Sequence, residues 1–192
     1  MISTARQAFG TSDQVTGNRG QDCRQRVTAM TDWYLVFVYG TLKKGFPNHD
    51  HHMREARLVG TFRTQERYRL VLNGERCSPC LLAGSGSGRH VIGEVYAVDR
   101  AGLARMDRLE RTDRPDGYRR DRIRVDPLDG PPKNGQVVCV YLKDPQWVHD
   151  WQSGMLETYT PELARQYRRR TDHRISGETT HETGNDPPTW PG

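Results

Sequence analysis

Large apolar side chains are thinly spread along this chain, and they gather in short runs of two kinds. In the first kind, Leu35-Val36-Phe37-Val38-Tyr39 runs without a polar interruption into Gly40, the pattern of a strand covered on both faces. Further short strands are predicted over 58–64, 68–72, 90–98, 118–125 and 136–142. Turn signals separate them at Asn73-Gly74, between Gly84 and Gly88, and at Asp129-Gly130. The second kind has helical spacing: Asp99 is a natural N-cap, and Leu103, Met106 and Glu110 follow at i, i+3 and i+7. Two lesser helix starts are Pro47-Asn48, where Asn48 offers a capping side chain, and Thr160-Pro161-Glu162, with Leu163 and Tyr167 spaced to pack on the sheet. Many short strands beside one or two helices predict an α+β fold, a small mixed β-barrel with packed helices, and argue against a doubly wound sheet.

Two places on this pattern carry chemistry. Gly40 has no Cβ, so backbone there can approach another group closely, and amides turning over at Gly40-Thr41-Leu42 would form a cradle for an oxyanion or carboxylate. An ordinary strand-to-loop turn accounts for the same residues. Glu110 is the second place. At about 100° per residue it lies roughly 20° from Leu103 around the helix axis, so a carboxylate occupies the apolar stripe where the helix ends. Burial would raise its pKa and suit it to proton exchange near neutral pH. An ion pair with Arg119, Arg120 or Arg122 is the structural alternative.

Composition narrows the setting. With 192 residues, 34% hydrophobic content and a mean hydropathy of -0.87, the chain suits one domain with tails. Residues 33–170 read as that domain, and 1–32 and 171–192 as polar, disordered extensions. No apolar stretch suggests a signal peptide or a membrane span. The net charge of +5 comes mainly from arginines spread along the chain, without the aromatic interleaving of a nucleic-acid module. Cys77-Ser78-Pro79-Cys80 has the form of a redox or metal half-site, but no second pair completes a zinc site and the context is strand and turn. His49, His51 and His52 sit at neighbouring helix positions and point apart, so no metal is expected. A reducing cytoplasm, with neither nucleic-acid nor membrane partners, is the natural expectation.

Tyr39-Gly40-Thr41-Leu42 resembles the YGTL or YGSL signature of the γ-glutamyl cyclotransferase-like family. The resemblance extends, in order, through Lys43-Lys44-Gly45 and Pro47-Asn48-His49, Gly93-Glu94-Val95-Tyr96, Met106-Asp107-Arg108-Leu109-Glu110 and Tyr118-Arg119-Arg120. It spans about residues 34–145 and is nearest the γ-glutamylamine cyclotransferase (AIG2-like) branch. It implies a small α+β barrel, acting as a monomer or weak dimer without cofactor, that converts a γ-glutamyl amide into 5-oxoproline and a free amine. Glu110 takes the place of the family's acid–base glutamate, and Tyr39, Gly40, Thr41 and Leu42 that of its substrate loop. Tyr118 takes the place of a tyrosine that follows the glutamate, here after a slightly longer interval. A non-catalytic barrel binding a γ-glutamyl or other acidic small molecule is the alternative, and a thiol-redox protein using Cys77 and Cys80 a more distant one. The leaving amine (an isopeptide fragment, a polyamine conjugate or a biosynthetic intermediate) would be chosen by Arg63, Tyr68 and the 77–82 segment.

Overall fold

The unbroken apolar run forms the strand on which the rest is assembled. The computed structural model describes residues 24–25, 33–129 and 135–169. The expectations for 1–32 and 171–192, apart from 24–25, and for Gly130 therefore lie outside the described residues. β1 (Arg24–Gln25) pairs antiparallel with β2 (Trp33–Val38). Successive side chains of a strand face opposite ways, and on β2 both faces are covered. Leu35, Phe37 and, just past the strand, Tyr39 pack with Phe62, Val91, Ile123 and Val138. Tyr34, Val36 and Val38 pack with Leu42, Met53, Leu103 and Met106.

β3 (Arg57–Tyr68), β6 (Arg89–Val98), β7 (Tyr118–Pro127) and β8 (Gln136–Lys143) complete a closed, mixed barrel of five strands in the order β2-β6-β3-β7-β8. The neighbouring pairs are antiparallel, and a parallel contact at Val36 and Cys139 joins β8 back to β2. The expected α+β barrel is thus present. β4 (Leu70–Asn73) and β5 (Ser78–Leu81) form a separate hairpin. A later segment runs along β4, with Gly74 N donating to Asp150 O, Gln152 N to Leu72 O and Leu156 N to Leu70 O, each at 2.8 Å. α2 (Arg100–Glu110) buries Leu103 and Met106 against β2, and Asp99 caps it by accepting from Gly102 N at 2.6 Å. α1 (His49–His52) and α3 (Pro161–Ala164) are single turns, and Pro145–Trp147 is a 3-10 turn.

Some sequence expectations need correction. β3 is longer than 58–64, because its polar continuation pairs with β6 through register shifts, and polar residues hide a strand whose outer face meets water. Asn48 makes no side-chain cap bond to α1. The last helix stops at Ala164, so Tyr167 lies beyond it and does not share a helical face with Leu163. No helix among the described residues is long and apolar enough to cross a membrane.

Candidate active site

The loop after β2 is held by its carbonyl groups. Lys43 N donates to Gly40 O at 3.1 Å, Asn48 N to Thr41 O at 3.0 Å, and Asn48 Nδ2 to Thr41 Oγ1 at 3.0 Å. Further along, Lys44 N donates to Glu94 Oε2 at 2.8 Å, a carboxylate that also accepts from Tyr96 Oη at 2.7 Å. The buried Lys43 ammonium donates to Tyr159 O at 2.6 Å and lies 4.5 Å from the Phe46 ring centre. Gly40 is needed here for close packing against protein: a Cβ at this position would lie 2.7 Å from Pro79 Cγ. The approach that its missing side chain permits is therefore, first of all, that of the β4–β5 hairpin.

The end of α2 is pinned to the barrel wall. Asp107 accepts from Tyr141 Oη at 2.8 Å and from Arg120 at 2.7 Å. Arg111 leaves the helix in the left-handed region, with φ 54° and ψ 48°, and its guanidinium grips both oxygens of Asp116 at 2.9 and 3.0 Å. The chain then folds back so tightly that a Cβ on Gly117 would meet Arg111 O at 1.8 Å. Of the arginines weighed as partners for Glu110, Arg120 bonds Asp107 and Arg119 bonds Asp121 at 3.0 Å.

One cavity of about 280 Å³ is lined by Tyr39, Gly40, Thr41, Leu42, Glu110 and Tyr118 together. Every residue singled out from the sequence as catalytic or substrate-binding thus lines the same space, although they come from the β2 end, the α2 end and the β7 start. Glu110 is half-buried. Tyr39 Oη donates to Tyr141 O at 2.7 Å. Tyr118 Oη lies 2.9 Å from Cys80 Sγ and 3.4 Å from Pro79 O. Burial holds the Tyr39 and Tyr118 hydroxyls well above the usual tyrosine pKa, and the nearby Glu110 carboxylate adds to the shift in both. Burial likewise pushes the Cys80 thiol up to about 11, against the pull of the Tyr118 hydrogen bond and the Lys143 charge.

The cavity also holds residues that pattern reading missed. Asn48 and Tyr167 line it and bond each other at 3.1 Å through Nδ2 and Oη. Lys143, Asp116, Glu75 and Arg76 contribute to the lining as well. Lys143 closes the apolar run of β8, and a cation ending a buried strand is the one sequence signal that could have found it. The expected selectivity residues are only partly there. Ser78, Pro79 and Cys80 line the cavity, but Arg63 and Tyr68 do not. Arg63 faces solvent on β3, and Tyr68 Oη turns to Glu66 at 3.2 Å. Cys77 and Cys80 are free thiols, and Cys139 is disulfide-bonded. Among the described residues no group of His, Cys, Asp or Glu is placed to hold a metal ion.

Residues 36–161 match the family model described as gamma-glutamyl cyclotransferase, AIG2-like. Over 126 residues the chain is 41% identical to gamma-glutamylaminecyclotransferase B of Danio rerio, a match covering 60% of this chain and 63% of that protein. It is 43% identical over 128 residues to gamma-glutamylaminecyclotransferase of Homo sapiens, covering 59% of this chain and 82% of the human protein. The chain therefore spans less than two thirds of the length of the first relative and most of the second. A crystal structure of an AIG2-like protein from Mus musculus superposes with a TM-score of 0.60 at 33% identity, covering 72% of this chain and 97% of the mouse chain.

Proposed function

Because the chain belongs to the gamma-glutamyl cyclotransferase, AIG2-like family, we propose that it is a γ-glutamylamine cyclotransferase releasing 5-oxoproline and a free amine. The observation that carries this reading is the meeting of Glu110 with the 40–42 loop around one cavity. The α-amine of a γ-glutamyl amide attacks its own γ-carbonyl carbon. A carbon–nitrogen bond closes the five-membered lactam, and the bond to the departing amine breaks. Both partners belong to one molecule, so the protein's main task is to fold the substrate into a near-attack geometry.

Glu110 takes a proton from the α-amine as it becomes nucleophilic and delivers it to the departing nitrogen. Negative charge growing on the γ-oxygen is met by N–H groups of the 40–42 loop, whose own turn bonds engage the carbonyls of Gly40 and Thr41. Tyr118 and Tyr39 keep their protons at neutral pH and serve as walls and donors. The remote end of the substrate lies toward the hairpin tip, where Glu75, Arg76 and Tyr167 line the cavity. No step draws on a cofactor.

The test is mass-spectrometric detection of 5-oxoproline from a panel of γ-glutamyl amides. Glu110→Gln, which keeps shape and loses proton transfer, should slow release by roughly 10²–10⁴-fold while still binding substrate. A parental rate in that variant would remove Glu110 from the mechanism. Tight binding with no turnover by the parent would favour the non-catalytic barrel.

A further inference from the structure

We propose that Tyr167 selects departing amines that carry an extended apolar chain, a role that rests on the function proposed above. Tyr167 lies past the 36–161 segment that matches the family model, yet it lines the cavity together with Glu110 and the 40–42 loop. Backbone bonds fix it on both sides. Tyr167 N donates to Ala164 O at 3.1 Å, and Arg168 N donates to Arg76 O, at the hairpin tip, at 3.0 Å. The Arg169 guanidinium donates to Pro47 O. The segment after α3 therefore bridges two edges of the cavity, the β4–β5 hairpin and the loop that follows β2.

The side chain follows the same line. Asn48 Nδ2 lies 3.1 Å from Tyr167 Oη and 3.0 Å from Thr41 Oγ1, so the hydroxyl stands two hydrogen bonds from the middle of the 40–42 loop. The backbone end is held beside Arg76, because the next residue bonds there. The half-buried ring thus covers the stretch of wall between the 40–42 loop and the hairpin tip. An amine that leaves the γ-carbonyl with its chain directed toward the tip runs along this ring. An aromatic side chain has only two χ angles to lose, and this one is tethered at its hydroxyl, so it offers apolar area at low entropic cost. A one-carbon amine is too short to use that area, and the ring therefore reads chain length.

The experiment compares the methylamide and the n-butylamide of the γ-glutamyl group. Their glutaryl counterparts, in which hydrogen replaces the α-amine, keep the amide and cannot cyclise. Turnover is measured on the γ-glutamyl pair and calorimetric binding on the glutaryl pair, for the parent, Tyr167→Ala and Tyr167→Phe, with a thermal melt of each. The parent should prefer the butyl compound by roughly 10-fold or more in both readouts, since each methylene fully buried is worth on the order of fourfold. Tyr167→Ala should bring the two lengths within a few-fold of each other. Tyr167→Phe keeps the ring and loses the bond to Asn48, and it should retain most of the preference.

A loss of rate in Tyr167→Ala that falls equally on both amides, leaving their ratio at the parental value, overturns the proposal and makes Tyr167 a prop for the loop. A ratio that collapses in Tyr167→Phe as well also overturns it, because the bond to Asn48 would then carry the effect. So does a parent that treats the two lengths alike or engages neither, a result that needs no variant. A parent with the Tyr167-dependent preference in glutaryl binding but no release of 5-oxoproline would overturn the cyclotransferase reading and leave the amine subsite standing.

Discussion

Gly40→Ala tests whether the position of the 40–42 loop is set by its contact with the β4–β5 hairpin. The new methyl would lie 2.7 Å from Pro79 Cγ and 3.3 Å from Pro79 Cβ, whereas carbon atoms settle at about 3.5–4.0 Å. The overlap is therefore nearly 1 Å. A proline ring has no rotamer that swings it away, and Pro79 is held by its ladder partner Leu72 and by Tyr118 at its carbonyl. Loop or hairpin must shift by several tenths of an ångström. Overpacking of this kind costs about 1–3 kcal/mol, a fall in Tm of roughly 4–10 °C for a domain of this size. A displacement near 1 Å at reacting atoms costs on the order of 10²-fold in rate. Both are read by a thermal melt and by 5-oxoproline release. The companion is Pro79→Ala, which removes the 2.7 Å contact and leaves the 3.3 Å one, so Gly40→Ala/Pro79→Ala should recover part of the loss in a double-mutant cycle. A Gly40→Ala protein with parental Tm and parental turnover would refute the reasoning, as would a double variant showing no recovery.

Other perturbations follow from the same geometry. Gly117→Ala drives a methyl to 1.8 Å from Arg111 O; it should lower stability by more than about 3 kcal/mol, a loss outside the range of ordinary substitutions, and a melt unchanged within 2 °C would contradict the tight return after α2. Iodoacetamide at about pH 7.5 should label half-buried Cys77 well before Cys80, since a thiol near pKa 11 is roughly one part in 3,000 thiolate there; peptide mapping showing Cys80 labelled first would count against its buried setting. Stability should fall between about pH 9 and pH 11. In that window the folded Cys80 thiol keeps a proton that the unfolded chain has lost, and Tyr39, Tyr68, Tyr96, Tyr118 and Tyr141 act in the same sense above the ordinary tyrosine range. Lys43 works oppositely, because burial lowers its pKa and the unfolded chain then holds more protons; a Tm that rises across this window would show that this one group outweighs the rest.

The sequence spoke clearly where one force dominated. A strand covered on both faces has no polar residue to interrupt it, so β2 was visible as a continuous run, and α2 announced itself through Asp99 and the spacing of Leu103 and Met106. Half-wet structure was harder to read. The second half of β3 alternates poorly and carries Gln65, Glu66 and Arg67, yet pairing with β6 holds it extended. The cavity was legible as three fragments, the 39–42 loop, Glu110 and Tyr118. Tyr167 and Lys143 were not, because each is brought to the site by the long-range fold, and Asn48 was read as a helix cap whereas its side chain bonds Thr41 and Tyr167. Cys80 was conspicuous for its spacing to Cys77, but its neighbour in space is Tyr118.

What keeps a glutamate at a helix end in register with a loop that follows a strand is the closure of the barrel itself. β2 and β8 run parallel with Val36 beside Cys139, so Tyr39 and Tyr141 emerge side by side two or three residues later. Tyr39 donates to the Tyr141 carbonyl, and the Tyr141 hydroxyl donates to Asp107, one helical turn before Glu110. Arg120, paired with Tyr141 across the β7–β8 ladder, holds the other oxygen of the same carboxylate. The separation between Glu110 and the 40–42 loop is thus inherited from a sheet and three hydrogen bonds, and depends little on the stiffness of either loop. In the reaction proposed above, whose barrier is largely one of positioning, that inheritance would hold Glu110 and the loop within the narrow range where intramolecular attack is fast.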